Sequence, residues 1–141
     1  MRVFLDANIL FSASKSDGAI RRLLGMLIEG GHELWVDAFV IEEARRNLAT
    51  KFPEALGRLE SVLGKARRLP TSARASLPAE VAKMLPEKDR PVLAAAIRAG
   101  CDSLVTGDRA HFGSLYVRTI GGVTVHSPSG LAASVFGSGS K

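Results

Sequence analysis

Four acidic residues stand where carboxylates could do chemistry: Asp6, Glu43, Asp89 and Asp108. Asp6 closes the short apolar run Val3-Phe4-Leu5, and Asn8 follows two residues later. Asp108 follows a second such run in LVTGD, where the Thr106 hydroxyl can orient a carboxylate or a phosphate. Asp89 lies in PEKDRPVLAAAI, one helical turn before Val92 and Leu93, while Glu87 points away from that stripe. Glu43 falls in a segment whose Val40, Ile41, Ala44 and Leu48 make one apolar helical face. It sits at the edge of that face beside Asn47, and Glu42 projects from nearly the opposite side. Each acid also has a plainer reading. Asp6 can be a turn residue, Asp89 and Asp108 helix caps, and Glu43 an exposed partner of Arg46 or Asn47. The apolar continuation Ile9-Leu10-Phe11 argues that the turn at Asp6 packs inside the protein, and a buried carboxylate needs a partner.

Brought together, four acids repel one another and raise each other's pKa values, so the fold must protonate some of them or hold a cation. All-oxygen ligands select a hard ion, Mg²⁺ or Mn²⁺. Zinc is disfavoured, because His32, His111, His126 and Cys101 show no ligand spacing and read as ordinary surface or core residues. The chemistry such a centre suits is hydrolysis of a phosphodiester by a metal-activated water.

The elements that must position these acids alternate in type. Residues 2–5 form a buried strand. Asp17-Gly18 starts a helix carrying Ile20, Leu23, Leu24, Leu27 and Ile28, and Gly30-Gly31 stops it. A strand over 33–36 leads through Asp37, a helix N-cap, into a helix over 38–50. Phe52-Pro53 breaks it, and a more basic helix runs from about 54 to 68. The composition of 69–78 is that of a loop. A short helix then runs to Leu85-Pro86, another helix covers roughly 90–99, and a strand over 103–106 turns at Gly107-Asp108. One or two short strands flank Gly121-Gly122, and Pro128 opens a last helical stretch. The domain spans 1–136, with a flexible tail at 137–141. Alternating strands and helices imply an α/β fold with a largely parallel sheet, whose sites gather at the carboxyl ends of strands.

The chain has 141 residues, enough for one domain with a sizeable core, and its 46% hydrophobic and 23% charged residues are ordinary for a globular protein. One cysteine excludes an internal disulfide and suits a cytoplasmic protein. No run is long and apolar enough to span a bilayer, and Asp6 and Asn8 interrupt any signal-like N-terminus. The net charge of +5 would attract a polyanion. An acidic centre in a basic protein fits such a substrate if a metal reverses the local sign while Lys and Arg hold flanking phosphates.

With DANIL at Asp6, VIEEARRNL at Glu43, EKDRPVLAAAI at Asp89 and VTGD at Asp108, the chain resembles the PIN-domain ribonucleases, in register from residue 1 to about 128. It is most similar to the VapC-type toxins of toxin–antitoxin pairs. The resemblance implies a three-layer α/β/α fold around a mostly parallel sheet of four or five strands, and Mg²⁺- or Mn²⁺-dependent endonucleolytic cleavage of RNA. It implies that Asp6, Asp89 and Asp108 are metal ligands, that Glu43 holds a ligating water or a second metal, and that Asn8 and Thr106 orient carboxylates or water. Homodimers and an antitoxin partner are also implied. One departure is Ala110, where many relatives carry another acid, which weakens a second metal site. Arg109 is a candidate phosphate contact. Two rival readings remain. A Mg²⁺-dependent phosphatase would carry a second Asp where this chain has Asn8. A non-catalytic RNA- or partner-binding module would stack bases poorly with 6% aromatic residues.

Overall fold

The computed structural model describes residues 1–70 and 77–137. Most of the loop expected over 69–78, and all but the first residue of the tail expected at 137–141, lie outside the described residues.

Strand β1 (Arg2–Leu5) runs straight into helix α1 (Ala7–Lys15), and α2 (Ala19–Glu29) follows. β2 (Glu33–Val36) leads to α3 (Ala38–Lys51) and α4 (Leu56–Leu63), then to β3 (Ala66–Arg68). After α5 (Ala79–Ala82) and α6 (Arg90–Arg98) come β4 (Ser103–Val105), α7 (Arg109–Phe112), the hairpin of β5 (Thr119–Ile120) and β6 (Val123–His126), and α8 (Pro128–Ala132). The sheet has the order β3-β2-β1-β4-β6-β5. All pairs are parallel except β5–β6. This is the expected α/β class, with six strands in place of four or five.

Two expectations on local structure are corrected. The turn at Asp6 packs inside as expected, but no helix is expected before Asp17-Gly18, whereas the chain turns at Asp6 directly into α1, whose Ile9, Leu10 and Ala13 are buried. The basic helix expected over 54–68 stops at Leu63, and Ala66–Arg68 forms an edge strand instead. Its Leu34↔Ala66 to Val36↔Arg68 pairing uses the backbone, which leaves Arg67 and Arg68 exposed as edge charges that discourage further strand pairing. The β5–β6 turn is Gly121-Gly122, with φ of 59° and 86°, the left-handed pair a two-residue hairpin loop requires.

Val3, Phe4 and Leu5 are all fully buried, as are Leu104 and Val105, so the central strands are covered on both faces as a parallel sheet requires. α1 packs against α3, α4 and α2, while α6 packs against β4. The strand order reverses between β1 and β4, since β1 leads one way to β2 and β3 and β4 leads the other way to β6. A crevice therefore opens at the carboxyl ends of these two adjacent strands, the place where open α/β sheets carry their sites.

Candidate metal centre

Asp6 occupies that crevice because β1 ends there. Its backbone N–H still bonds to the Val105 carbonyl at 3.1 Å, while its side chain caps α1 by accepting from the Ala7 N–H at 2.7 Å. The carboxylate thus faces the positive end of α1. Its Oδ2 accepts from the Thr106 hydroxyl at 2.8 Å and from the Asn8 amide at 3.3 Å. Only 5% of Asp6 is exposed, and burial pushes its carboxyl up to about 6. The bonds from Thr106 and Ala7 oppose that rise, and the charges of Glu43 and Asp89 add to it.

Thr106 ties β4 to β1. It is fully buried; besides serving Asp6, its hydroxyl accepts from the Asp108 N–H at 3.1 Å. Its backbone carbonyl accepts from the Tyr116 hydroxyl at 2.9 Å. Asn8 spans the same gap: its carbonyl oxygen accepts from the Gly107 N–H at 2.8 Å, and its amide lies 3.3 Å from the Thr106 hydroxyl. The turns after β1 and β4 are therefore cross-linked by two polar side chains, which holds Asp6 and Asp108 in fixed relation.

Asp108 caps α7 through Oδ1, which accepts from the His111 N–H at 3.1 Å, and leaves Oδ2 for the crevice. Asp89 stands at the N-terminus of α6 but makes no capping bond, so the plain capping reading does not account for its carboxylate. Pro91 in the first turn removes one donor that a cap would have served. On α3, capped by Asp37 on the Val40 N–H, Glu43 is half-buried and Glu42 exposed, the asymmetry the helical face requires. Among the described residues, no ion pair is formed by Glu43.

The structure brings a fifth side chain to this group, and it corrects the view of His111 as an ordinary residue. His111 Nδ1 lies 2.8 Å from Asp89 Oδ2 and 2.9 Å from Asp108 Oδ2. Asp89 Oδ2 and His111 Nδ1 are both buried, yet neither has a hydrogen bond of proper geometry. One donor atom from each of Asp89, Asp108 and His111 falls within 4.8 Å of the others. The available signal was the spacing: His111 is three residues after Asp108, on the same side of a helical turn. His32 pairs with the chain's amino group at 3.0 Å. Burial lowers the pKa of His126 and pushes the Cys101 thiol up to about 12, which makes that cysteine inert.

A divalent ion fits these residues on the structure's own terms. Buried polar atoms without hydrogen bonds point to a missing partner. Burial chiefly raises the Asp6 carboxyl to about 6, and the charges of Glu43 and Asp89 add a smaller push in the same direction that a cation would relieve. The donors are carboxylate oxygens and one imidazole nitrogen.

The sequence matches the family model described as PIN domain over residues 2–110. The chain belongs to the PIN domain family. Asp6, Glu43, Asp89 and Asp108 lie inside the matched region, and His111 lies one residue beyond it. Among solved structures, the PIN fold of this chain is similar to a chain of VapBC2 from Rickettsia felis bound to a promoter DNA fragment. There the TM-score is 0.68 at 17% identity, over 90% of this chain and 98% of that one. A chain of VapBC-1 from nontypeable Haemophilus influenzae gives 0.64 at 13% identity, covering 92% and 99%. A chain of FitAB bound to the IR36 DNA fragment gives 0.55 at 16% identity, covering 89% and 94%. A comparison with curated proteins finds no match.

Arg109 is exposed, and its guanidinium stands 5.9 Å from the Tyr116 ring centroid. Both line a cavity of about 390 Å³ that also touches Gly107, Ile20 and Leu23, on the flank of the Asp108 turn. Among the described residues, no helix is long and apolar enough to cross a membrane.

Proposed function

We propose that this PIN-domain chain is an endoribonuclease dependent on Mg²⁺ or Mn²⁺, and the toxin of a toxin–antitoxin pair. The observation that carries the proposal is the convergence of Asp89 and Asp108 on His111, with two buried atoms there, Asp89 Oδ2 and His111 Nδ1, lacking hydrogen bonds, and with Asp6 electrostatically coupled to Asp89 and Glu43. Asp6, Asp89 and Asp108 would hold the ion, with Glu43 acting directly or through water. When bound, a divalent ion supplies an activated water and neutralises charge on the phosphodiester.

The chain's own residues do the rest. Thr106 and Asn8 fix the Asp6 carboxylate by donating to Oδ2, so it keeps its place when unliganded. Glu43, half-buried and close enough for its charge to act on Asp6, would accept a proton or orient water. Arg109 and the cavity beside Gly107 would contact a phosphate and its flanking nucleotide. The net charge of +5 supports a polyanionic substrate. The similar VapBC and FitAB structures support an antitoxin as partner, and we extend the proposal to a homodimer.

A phosphatase is disfavoured because Asn8 stands where such an enzyme would carry a second aspartate, and its amide serves Asp6 and Thr106. Incubating single-stranded and structured RNA with the protein tests the proposal. Fragments should form with Mg²⁺ or Mn²⁺ and not with EDTA. Binding without cleavage under both conditions would favour a non-catalytic module, and phosphate release from small esters would favour the phosphatase.

A further inference from the structure

Among the side chains that converge on the crevice, His111 has no part in the all-oxygen centre. Its placement is specific. α7 is a single turn, and on it the residue after next from Asp108, Ala110, is exposed and offers no donor, whereas His111 returns to the Asp108 side. Phe112, the next residue, is fully buried and anchors that turn, which fixes the imidazole. Nδ1 is buried and sits 2.8 and 2.9 Å from the Oδ2 atoms of Asp89 and Asp108.

Two readings compete. In one, the imidazole is a cation that pairs with the two acids. That reading predicts a hydrogen bond in line with the ring, and Nδ1 makes none. In the other, the three atoms are donors to one ion. Donors at right angles about an ion with bonds of about 2.1 Å lie about 3.0 Å apart, close to the two spacings observed. The absence of an acid at residue 110 leaves room for a different ligand.

We propose that His111 Nδ1 is a direct ligand of the divalent ion, and that it biases the centre toward Mn²⁺ over Mg²⁺. The inference rests on the metal-centre reading of Asp6, Asp89 and Asp108. Its chemistry is that of ligand type: Mg²⁺ takes oxygen donors almost exclusively, while imidazole nitrogen binds the first-row transition ions more strongly. His111 thus takes the place of a further carboxylate and lowers the negative charge of the site by one.

Pulsed electron paramagnetic resonance on the full chain loaded with Mn²⁺ tests this without using activity. A ¹⁴N coupling from a directly bound imidazole should be present. Labelling the protein with ¹⁵N-histidine should replace it by the ¹⁵N pattern, with no substitution at all. In His111→Ala, Mn²⁺ should still bind, the nitrogen coupling should vanish, and the preference for Mn²⁺ over Mg²⁺ in calorimetric titrations should fall by about tenfold or more. Mn²⁺ bound with no histidine nitrogen coupling would overturn the proposal and leave the acidic centre standing. Coupling that persists in His111→Ala, or an unchanged preference, would overturn the assignment to His111. Failure of Mn²⁺ to bind the wild-type chain would overturn both readings.

Discussion

Asp6→Asn tests the electrostatics of the crevice in the metal-free protein. The Asp6 carboxyl titrates near 6 in the folded chain against 3.8 ordinarily, chiefly because burial disfavours its charge. The folded state therefore holds this proton more tightly than the unfolded state does. Stability is fully present below pH 3.8 and is lost as pH rises through 6, a total cost of about 3 kcal/mol at neutral pH. Roughly 1 kcal/mol of that is already lost at pH 4.5, and about 2 kcal/mol more disappears between pH 4.5 and 7.5. Asparagine removes the titration and keeps an oxygen to cap the Ala7 N–H, a role it fills well. Asp37, whose carboxyl burial also raises, contributes equally to both proteins and cancels in the difference. Urea unfolding of both chains in EDTA at pH 4.5 and 7.5 should show the wild type losing about 2 kcal/mol more than the variant across that interval. The variant also loses the acceptor of the Asn8 and Thr106 donors, which offsets its stability at every pH without changing the slope. Added Mn²⁺ should stabilise the wild type more than the variant, because an ion that binds the folded wild type more tightly stabilises it by mass action. Parallel pH dependence in the two proteins would refute the claim that burial makes the ionised Asp6 carboxylate costly.

Thr106→Val keeps the shape but removes the hydroxyl that serves Asp6 and the Asp108 N–H, so it should cost about 1–3 kcal/mol in thermal unfolding and most of the RNA cleavage. Glu43→Gln should lower cleavage by about tenfold or more while Glu42→Gln changes little; equal losses in a rate assay would contradict the placement of α3. Val117, 77% exposed, is a β-branched residue held at a φ of 69°, so Val117→Gly should raise stability by up to about 1 kcal/mol in urea titrations.

Much of the fold is legible because local pattern and tertiary burial agree. The run Val3-Phe4-Leu5 is apolar throughout and becomes a strand buried on both faces. The stripe Val40, Ile41, Ala44 and Leu48 is the buried face of α3, which is why Glu42 and Glu43 separate so cleanly. Gly121-Gly122 can adopt the left-handed pair at no steric cost, so the hairpin announces itself. Other elements carry no such signal. β3 is an edge strand whose Arg67 and Arg68 are exposed, so it has no apolar alternation and joins β2 through backbone pairing and the Arg67–Glu33 ion pair at 3.4 Å. α1 starts directly after β1, with no loop residues to mark the change; only the Asp6 cap separates them.

The site divides along the same line. Asp6 and Asp108 are legible as acids after strands, because chain direction alone sends strand ends to one side of a parallel sheet. How close Asp89 comes to Asp108 is a tertiary fact, set by how α6 packs on β4. His111 lies outside any zinc-like grouping of His and Cys, and its only mark in the sequence is a three-residue interval from an aspartate.

Diffraction from a crystal grown with Mn²⁺, with data collected at the manganese absorption edge, tests the central claim most directly. The account expects a single strong anomalous peak in the crevice between the ends of β1 and β4, within bonding distance of Asp89 and Asp108 and with Asp6 beside it. Ordered manganese bound elsewhere, with this crevice empty and the carboxylates turned apart, would contradict it.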